Sequence, residues 1–283
     1  MIILETVSDL QKATLSLKKE GKSIGFVPTM GALHEGHVSL VVKSTEQNDI
    51  TVVSVFVNPT QFNNPSDLEK YPRTLTEDTA LLEKVGADIV FVPTAKEIYP
   101  EPDTRQFDFG QLDKVMEGKY RPGHFNGVAQ VVSRLFDIVK PDRAYFGEKD
   151  FQQLAIIREM VKQYSIPVEI IPMPIIREES GLAKSSRNQR LSEKDKEAAV
   201  TISKALFKSK DRINLYTVEE TTKTVKDEIN RVEPLEVEYF EIVDGNTLQS
   251  ITNWEDTKYA VGCITVFCGE VRLIDNITYY QKD

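Results

Sequence analysis

The run SIGFVPTMGALHEGHVSLVVKSTEQN, Ser23–Asn48, decides the fold. It opens with the apolar stretch Ser23–Val27, passes through Pro28–His37 with two glycines and two histidines, and continues into a helical pattern from His37 to Asn48. A strand, a glycine-bearing turn and a helix start in that order make a phosphate-binding turn. The first N–H groups of a helix lack intrahelical partners, and the helix dipole adds partial positive charge there. A second segment, Ser185-Ser-Arg-Asn188, puts a guanidinium and two hydroxyls on a loop. Arginine offers planar, permanently charged donors suited to phosphate oxygens. Together the two segments point to an enzyme that grips a nucleoside triphosphate from two sides.

Outward from this run, strands are expected at Ile24–Val27, Thr51–Val57, Asp88–Val92, Ala144–Phe146 and Val168–Pro172. Between them Val128, Val131, Val132, Leu135, Phe136 and Val139 recur at helical spacing, as do Phe151, Leu154, Ala155, Ile157, Met160, Val161 and Tyr164. Such alternation implies an α/β fold, with right-handed crossovers and a parallel sheet covered on both faces. Ligands in such sheets sit beyond the carboxyl ends of the strands. After Ile176 the texture changes. Ser192–Phe207 and Thr217–Val232 read as helices, the first opened by a Ser192/Asp195 capping box. Val237–Val243, Ala260–Phe267 and Val271–Thr278 read as strands, the last two joined by a hairpin across Cys268-Gly-Glu270. The expected division is a nucleotide-binding domain over residues 1–176 and a smaller C-terminal α+β lid domain over 177–283. Gly181–Asn188 falls at their junction, where a hinge would carry Arg187 over the nucleotide.

Composition narrows the function class. Lys and Arg number 35 against 44 Asp and Glu, a formal net charge of −9. A nucleic-acid partner normally demands a basic excess or stripe, and none stands out. No run approaches the roughly 18–20 apolar residues that span a bilayer. The first twenty residues lack the basic start and small-residue cleavage site of a signal peptide. The two cysteines, Cys263 and Cys268, stand five apart in a strand-like stretch and would face opposite sides of a sheet, so they are not expected to bridge. The expectation is a cytoplasmic enzyme with no membrane and no nucleic-acid partner.

HEGH at 34–37 resembles the HIGH-type motif of the nucleotidylyltransferase superfamily. Further strings narrow the resemblance: NPTQF at Asn58–Phe62, YPRT at Tyr71–Thr74, RPGHF at Arg121–Phe125, FGEKDFQQ at Phe146–Gln153 and GLAKSSRN at Gly181–Asn188. With these, essentially the whole chain resembles the pantothenate synthetase (pantoate–β-alanine ligase) family. One departure is Lys184, where the family usually has methionine before SSRN. The resemblance implies a Rossmann-like sheet and a two-step reaction of the pantothenate and coenzyme A pathway. The carboxylate of (R)-pantoate attacks the α-phosphorus of ATP, giving pantoyl adenylate and pyrophosphate; the amine of β-alanine then displaces AMP, giving pantothenate. It implies Mg²⁺ with ATP as substrate, no resident protein-held metal, and a homodimer. Carried over by motif, the catalytic residues are His37, His34, Lys149 and Arg187, with His37 as proton donor to the leaving phosphate oxygens. The ATP site takes Met30, Gly31, His34, His37, Gly147, Glu148, Lys149, Asp150, Ile176, Lys184, Ser185, Ser186 and Arg187. Gln61 and Gln153 bond pantoate, with Pro28, Met30, Val131 and Val132 on its gem-dimethyl group. Gln61 and Asn58 position β-alanine.

Each of these residues also has a local reading. His34 and His37 would serve as structural imidazoles bonding backbone at a turn, or with His124 as three zinc ligands, although the zincin pattern needs histidines four apart. Asp150 and Gln153 fit a capping box at the start of the following helix. Asn58, before a proline, fits a turn former, and Gln61 a polar loop residue. Arg187 fits an ordinary surface arginine. Glu77 and Asp78 fit the acidic first turn of a helix, with a magnesium role for Asp78 as the rival. Trp254 and the C-terminal tyrosines read as core or interface.

Overall fold

The computed structural model describes residues 1–282. In chain order its elements are β1 (Ile2–Leu4), α1 (Val7–Lys19), β2 (Ile24–Thr29), α2 (Glu35–Gln47), β3 (Ile50–Val55), α3 (Pro65–Glu69), α4 (Leu75–Lys84), β4 (Ile89–Phe91) and α5 (Ala95–Ile98). They continue with α6 (Met116–Tyr120), α7 (His124–Val139), β5 (Arg143–Gly147), α8 (Phe151–Gln163), β6 (Glu169–Met173), α9 (Glu193–Asp211), α10 (Val218–Asn230), β7 (Leu235–Asp244), β8 (Tyr259–Cys268) and β9 (Val271–Gln281). These residues form two compact units. The larger comprises Met1–Phe109, Arg121–Glu148 and Ile156–Pro174; the smaller comprises Gly110–Tyr120, Lys149–Ala155 and the chain from Ile175 on.

The larger unit is a six-stranded parallel sheet in the order β1-β4-β3-β2-β5-β6. Its strands are near-continuous apolar runs because helices cover both faces. Val27, Val53, Val90 and Tyr145 pack on one face against Leu40 and Val41 of α2 and Leu82 of α4. Phe26 and Phe146 point the other way and meet the ring of Phe136 on α7 edge-on. The five expected strands are all present. β3 ends at Val55, two residues short of the expected Val57, because the chain turns into the short 3-10 helix Pro59–Gln61. α2 starts at Glu35 with His34 as its N-cap, which makes His37 the third helical residue rather than the first. β1 had no counterpart in the sequence reading. It is three residues long, and Ile2 and Ile3 stay half exposed, so it carries no burial pattern to recognise.

The sheet also shows where a ligand enters. β2 pairs with β3 along all six residues, Ile24↔Ile50 to Thr29↔Val55. Its ladder with β5 runs only through Gly25↔Arg143 and Phe26↔Ala144. The strand order reverses between β2 and β5, and the pair separates toward its carboxyl ends, so the crevice of a doubly wound sheet opens there.

The smaller unit is built on the antiparallel sheet β7-β8-β9. β8 alternates strictly: Ala260, Ile264, Val266 and Cys268 pack with Ala199, Ile202 and Leu206 of α9 and Val225 and Ile229 of α10. Val261 and Cys263 face Met116, Tyr239 and Val243 on the opposite side. The two cysteines therefore lie on opposite faces, both buried and free. The β8–β9 hairpin closes over Gly269 and Glu270, with Gly269 at φ +58°. At the start of α9, Ser192 accepts from the Asp195 N–H, and its hydroxyl donates to the Asp195 carboxylate.

Gly110–Tyr120 joins this unit through a buried ion pair. The Glu117 carboxylate accepts both Arg272 guanidinium nitrogens at 2.7 Å, the Tyr239 hydroxyl at 2.9 Å and the Thr265 hydroxyl at 2.9 Å. Burial, reinforced by the Glu117 charge, holds the Tyr239 phenol far above its ordinary pKa, so it stays the neutral donor this bond needs. Removing one partner of such a buried set strands the other. Trp254 packs at the edge of this core, its indole N–H on the Tyr216 carbonyl and its ring against Tyr279 and Tyr280.

Candidate active site

β2 ends in a tightly bonded turn. Gly31 has φ +78° and Ala32 φ +50°. Gly31 also lacks room for a side chain: a Cβ there would stand 3.0 Å from Asp78 Oδ2 and 3.1 Å from Val55 Cγ1. Six of the turn's backbone donors have partners within the unit. Gly31 N–H donates to Thr29 Oγ1, Ala32 and Leu33 N–H donate to the Asp78 carboxylate, His34 N–H to His37 Nδ1, Gly36 N–H to His34 Nδ1 and His37 N–H to the His34 carbonyl. These six N–H groups are therefore not the open donors expected at this turn.

What the turn presents instead is a pair of imidazoles. The two rings lie 4.2 Å apart between centroids, tilted by 46°. Each Nδ1 accepts from a backbone N–H, in the reciprocal pattern of a capping box. A neutral ring held this way carries its proton on Nε2, so both histidines are set as Nε2–H donors. His124, the third histidine, is used elsewhere. It is buried, with Nδ1 2.8 Å from the Gln61 carbonyl and Nε2 3.2 Å from Arg121 Nη1. A three-histidine zinc site is thereby ruled out. Asp78 stands with Glu77 in the acidic first turn of α4, as expected, but is buried, with both oxygens on backbone N–H groups.

Gln61 stands in a fixed polar cradle. Its Oε1 accepts from Asn58 Nδ2 at 3.0 Å, which also donates to the Gly127 carbonyl at 3.2 Å. Asn58 Oδ1 accepts from the Tyr99 hydroxyl at 3.0 Å and the Thr60 hydroxyl at 3.1 Å. Burial raises the Tyr99 phenol above its ordinary pKa, which keeps it the neutral donor. The Asn58 amide is thus fully engaged inside the fold, and it is more than a turn former. With Oε1 fixed, Gln61 points its Nε2–H donors toward the Met30 sulfur, 3.3 Å away. α7 reaches this cradle because residue 127 is glycine: a Cβ there would stand 2.5 Å from the Thr60 carbonyl oxygen. Val131 and Val132 are both buried on α7. A cleft of about 410 Å³ opens beside the turn, lined by Met30, Gly31, Val55, Pro59, Arg73 and Asp78 among others. Gly147 ends β5, at the neighbouring carboxyl edge, and Glu148 opens the 3-10 turn that follows.

In the smaller unit, residues 176–184 fold back on themselves. Lys184 N–H donates to the Ile176 carbonyl, Arg177 bridges Ala183, and Gly181 turns the chain at φ +96°. Arg177 fixes this hairpin to β9 with a bidentate pair to Asp275 at 2.7 and 2.9 Å. Ser185 caps the following 3-10 helix, Ser186–Arg190, by accepting from Arg187 N–H. Asn276 donates to the Lys149 carbonyl, and Lys149 and Ser185 line one small recess. Among the described residues the Lys149 ammonium has no ion-pair partner, and the half-buried Gln153 amide has no hydrogen-bond partner. α8 begins at Phe151, so Asp150 and Gln153 occupy the N-cap and third helical positions as expected, but no hydrogen bond is found between them. The bland explanation for Gln153 falls without that bond.

Residues 2–278 match the family model described as pantoate-beta-alanine ligase. The chain belongs to the pantoate–β-alanine ligase family. A pantothenate synthetase of Bacteroides fragilis (strain YCH46) is 62% identical over 282 residues, spanning 100% of both chains. A crystal structure of the pantothenate synthetase of Thermus thermophilus superposes with a TM-score of 0.93 at 42% identity, covering 99% of this chain and 100% of that one. The ligase of Francisella tularensis, solved in complex with β-γ ATP and β-alanine, does so at 0.83 and 38% identity, covering 99% and 98%. The enzyme is therefore an ATP-using carbon–nitrogen ligase of pantothenate biosynthesis. Sequence reading gave Asp78 and His124 other roles and did not single out Tyr99, whereas in the structure Asp78 braces the turn and Tyr99 and His124 bond the Asn58–Gln61 segment. Of the three, only His124 lies inside a recognised string, RPGHF.

Proposed function

We propose that the chain condenses (R)-pantoate with β-alanine in two steps on one site. A pantoate carboxylate oxygen bonds the α-phosphorus of ATP and the bond to the β-phosphate oxygen breaks, releasing pyrophosphate. The β-alanine nitrogen then bonds the acyl carbon, the carbon–oxygen bond to AMP breaks, and the amine gives up its proton. A carboxylate is already ionised at pH 7, so no serine or cysteine nucleophile is needed. The protein's task is alignment and stabilisation of charge on the leaving group.

The observation that carries this reading is the imidazole pair at the end of β2, set as two Nε2–H donors by backbone bonds to each Nδ1. His34 and His37 take the phosphates through their Nε2–H groups, and His37 protonates the leaving oxygens once its Nδ1 has released the His34 N–H and taken up a proton. Lys149 and Arg187 add positive charge. Met30, Gly31, Gly147, Glu148, Asp150, Ile176, Lys184, Ser185 and Ser186 complete the nucleotide contacts. Gln61 and Gln153 bond pantoate, beside Met30, Val131 and Val132. For β-alanine, Gln61 makes the contact and Asn58 acts through it, because its own amide is already bonded on every side.

Mg²⁺ enters as the ATP complex, held by phosphate oxygens. The Asp78 carboxylate is engaged with the backbone N–H groups of Ala32 and Leu33. Residues 1–176 supply nucleotide and pantoate binding, and 177–283 supply the Lys184–Arg187 segment. The enzyme works as a cytoplasmic homodimer. Two buried free thiols suit a reducing compartment, and the dimer, which rests on family likeness, is read by light scattering. The two-step reading is tested by pyrophosphate release with ATP and pantoate, before and after β-alanine is added; release that needs a phosphorylated acceptor would point to a nucleotidyl transfer instead.

A further inference from the structure

Asp78 has no assigned part in the reaction, yet it is the residue on which the shape of the phosphate turn depends. It sits in α4, 46 residues from the turn it bonds, and is 2% exposed. Oδ2 accepts from Ala32 N–H at 2.9 Å; Oδ1 accepts from Leu33 N–H at 2.8 Å and from the Thr74 hydroxyl at 3.2 Å. Ala32 is fully buried, so no water can replace the acceptor lost to its N–H. Ala32 is also held at φ +50°, a left-handed conformation an alanine adopts only when its surroundings impose it. The residue after this bonded pair is His34, the N-cap whose ring, with that of His37, takes the phosphates in the proposed function.

We infer that Asp78 is a positioning residue for adenylation: its two carboxylate oxygens hold Ala32 and Leu33 in place and thereby aim the Nε2–H donors of His34 and His37. The inference rests on the proposed function, in which those donors act on the departing pyrophosphate. It predicts damage confined to one half of the reaction, because β-alanine attack on a finished adenylate releases no pyrophosphate.

The test is Asp78→Asn, which keeps the shape and replaces one acceptor by an NH₂ group. Pyrophosphate formation in the first turnover is followed by quenched flow, and pantothenate formation from chemically supplied pantoyl adenylate is followed separately. The expected result is a first step slowed roughly 100-fold, the loss a misplacement of ~1 Å can cause, with the second step within about twofold of wild type and an unchanged circular dichroism spectrum. Adenylation within about threefold of wild type, or an equal loss in both steps, would overturn the inference. If Asp78→Asn does not fold, Thr74→Val removes the third hydrogen bond to the same carboxylate. A several-fold loss in adenylation alone then supports the role, and no loss or an equal loss overturns it. Absence of pyrophosphate release in the wild-type enzyme would strike the two-step reading itself.

Discussion

Replacing Gln61 with leucine separates ligand binding from architecture. Leucine keeps most of the volume and removes the amide. Two losses follow, and they appear in different measurements. The Nε2–H donors that point toward Met30 are the ones available to pantoate. A hydrogen bond to a charged group is worth roughly 1.5–3 kcal/mol, so kcat/KM for pantoate should fall roughly 10- to 150-fold. The second loss is in stability. Asn58 Nδ2 keeps its bond to the Gly127 carbonyl but loses Gln61 Oε1, which orphans one buried hydrogen at a cost of roughly 1–3 kcal/mol. The melting temperature should drop by several degrees, while at 25 °C the protein stays folded. The assay is steady-state kinetics with pantoate varied at saturating ATP and β-alanine, beside direct titration of ATP in the absence of pantoate. ATP affinity should change by less than about twofold. A lowered melting temperature with kcat/KM for pantoate within about threefold of wild type would refute the assignment and leave Gln61 a structural residue. An equal loss for ATP and pantoate would refute it as well.

Three further outcomes are expected. His37→Ala should slow first-turnover pyrophosphate formation by roughly 10²- to 10⁴-fold, the usual contribution of a positioned proton donor, with circular dichroism unchanged; a loss under about threefold would remove His37 from the chemistry. Gln153→Ala should weaken pantoate use while leaving the melting temperature in place, since the amide caps nothing in α8; a destabilised protein with normal pantoate kinetics would reverse that conclusion. The hydrogen bond from Arg105, helped by Arg134, holds the Asp103 carboxyl well below the ordinary carboxylate range against the opposing effect of burial. Because the folded pKa is the lower one, the stabilisation is complete above the unfolded value of about 4 and fades as pH falls through the folded one. Asp103→Asn should therefore be less stable than wild type in denaturant titrations at pH 7, with the gap narrowing below about pH 4; a gap constant with pH would contradict this.

The parts of the fold that were legible in sequence are those whose signal is local and periodic. β2 to β6 are apolar runs because both faces of the sheet are covered, and α7 and α8 repeat apolar residues at helical spacing. The motif strings were legible because each carries its chemistry in a few adjacent residues. What stayed hidden is long-range polar pairing, which has no period. Glu117 and Arg272 meet across 155 positions and draw Gly110–Tyr120 into the smaller unit. Asp78 reaches Ala32 across 46 positions, and His124 reaches Gln61 across 63. These contacts decided the point on which local reasoning failed. A helix start in isolation offers open N–H groups, but here His34 bonds those of Gly36 and His37 while Asp78 bonds those of the turn before them.

The central claim is that pantoate and ATP react before β-alanine takes part. Positional isotope exchange in ATP labelled at the β–γ bridge and β-nonbridge oxygens tests it most directly. With pantoate present and β-alanine absent, reversible pyrophosphate formation lets the bound β-phosphate rotate, and the label should scramble into the α–β bridge. Without pantoate it should stay in place. Scrambling that appears with ATP alone, or none with pantoate until β-alanine is added, would contradict the account.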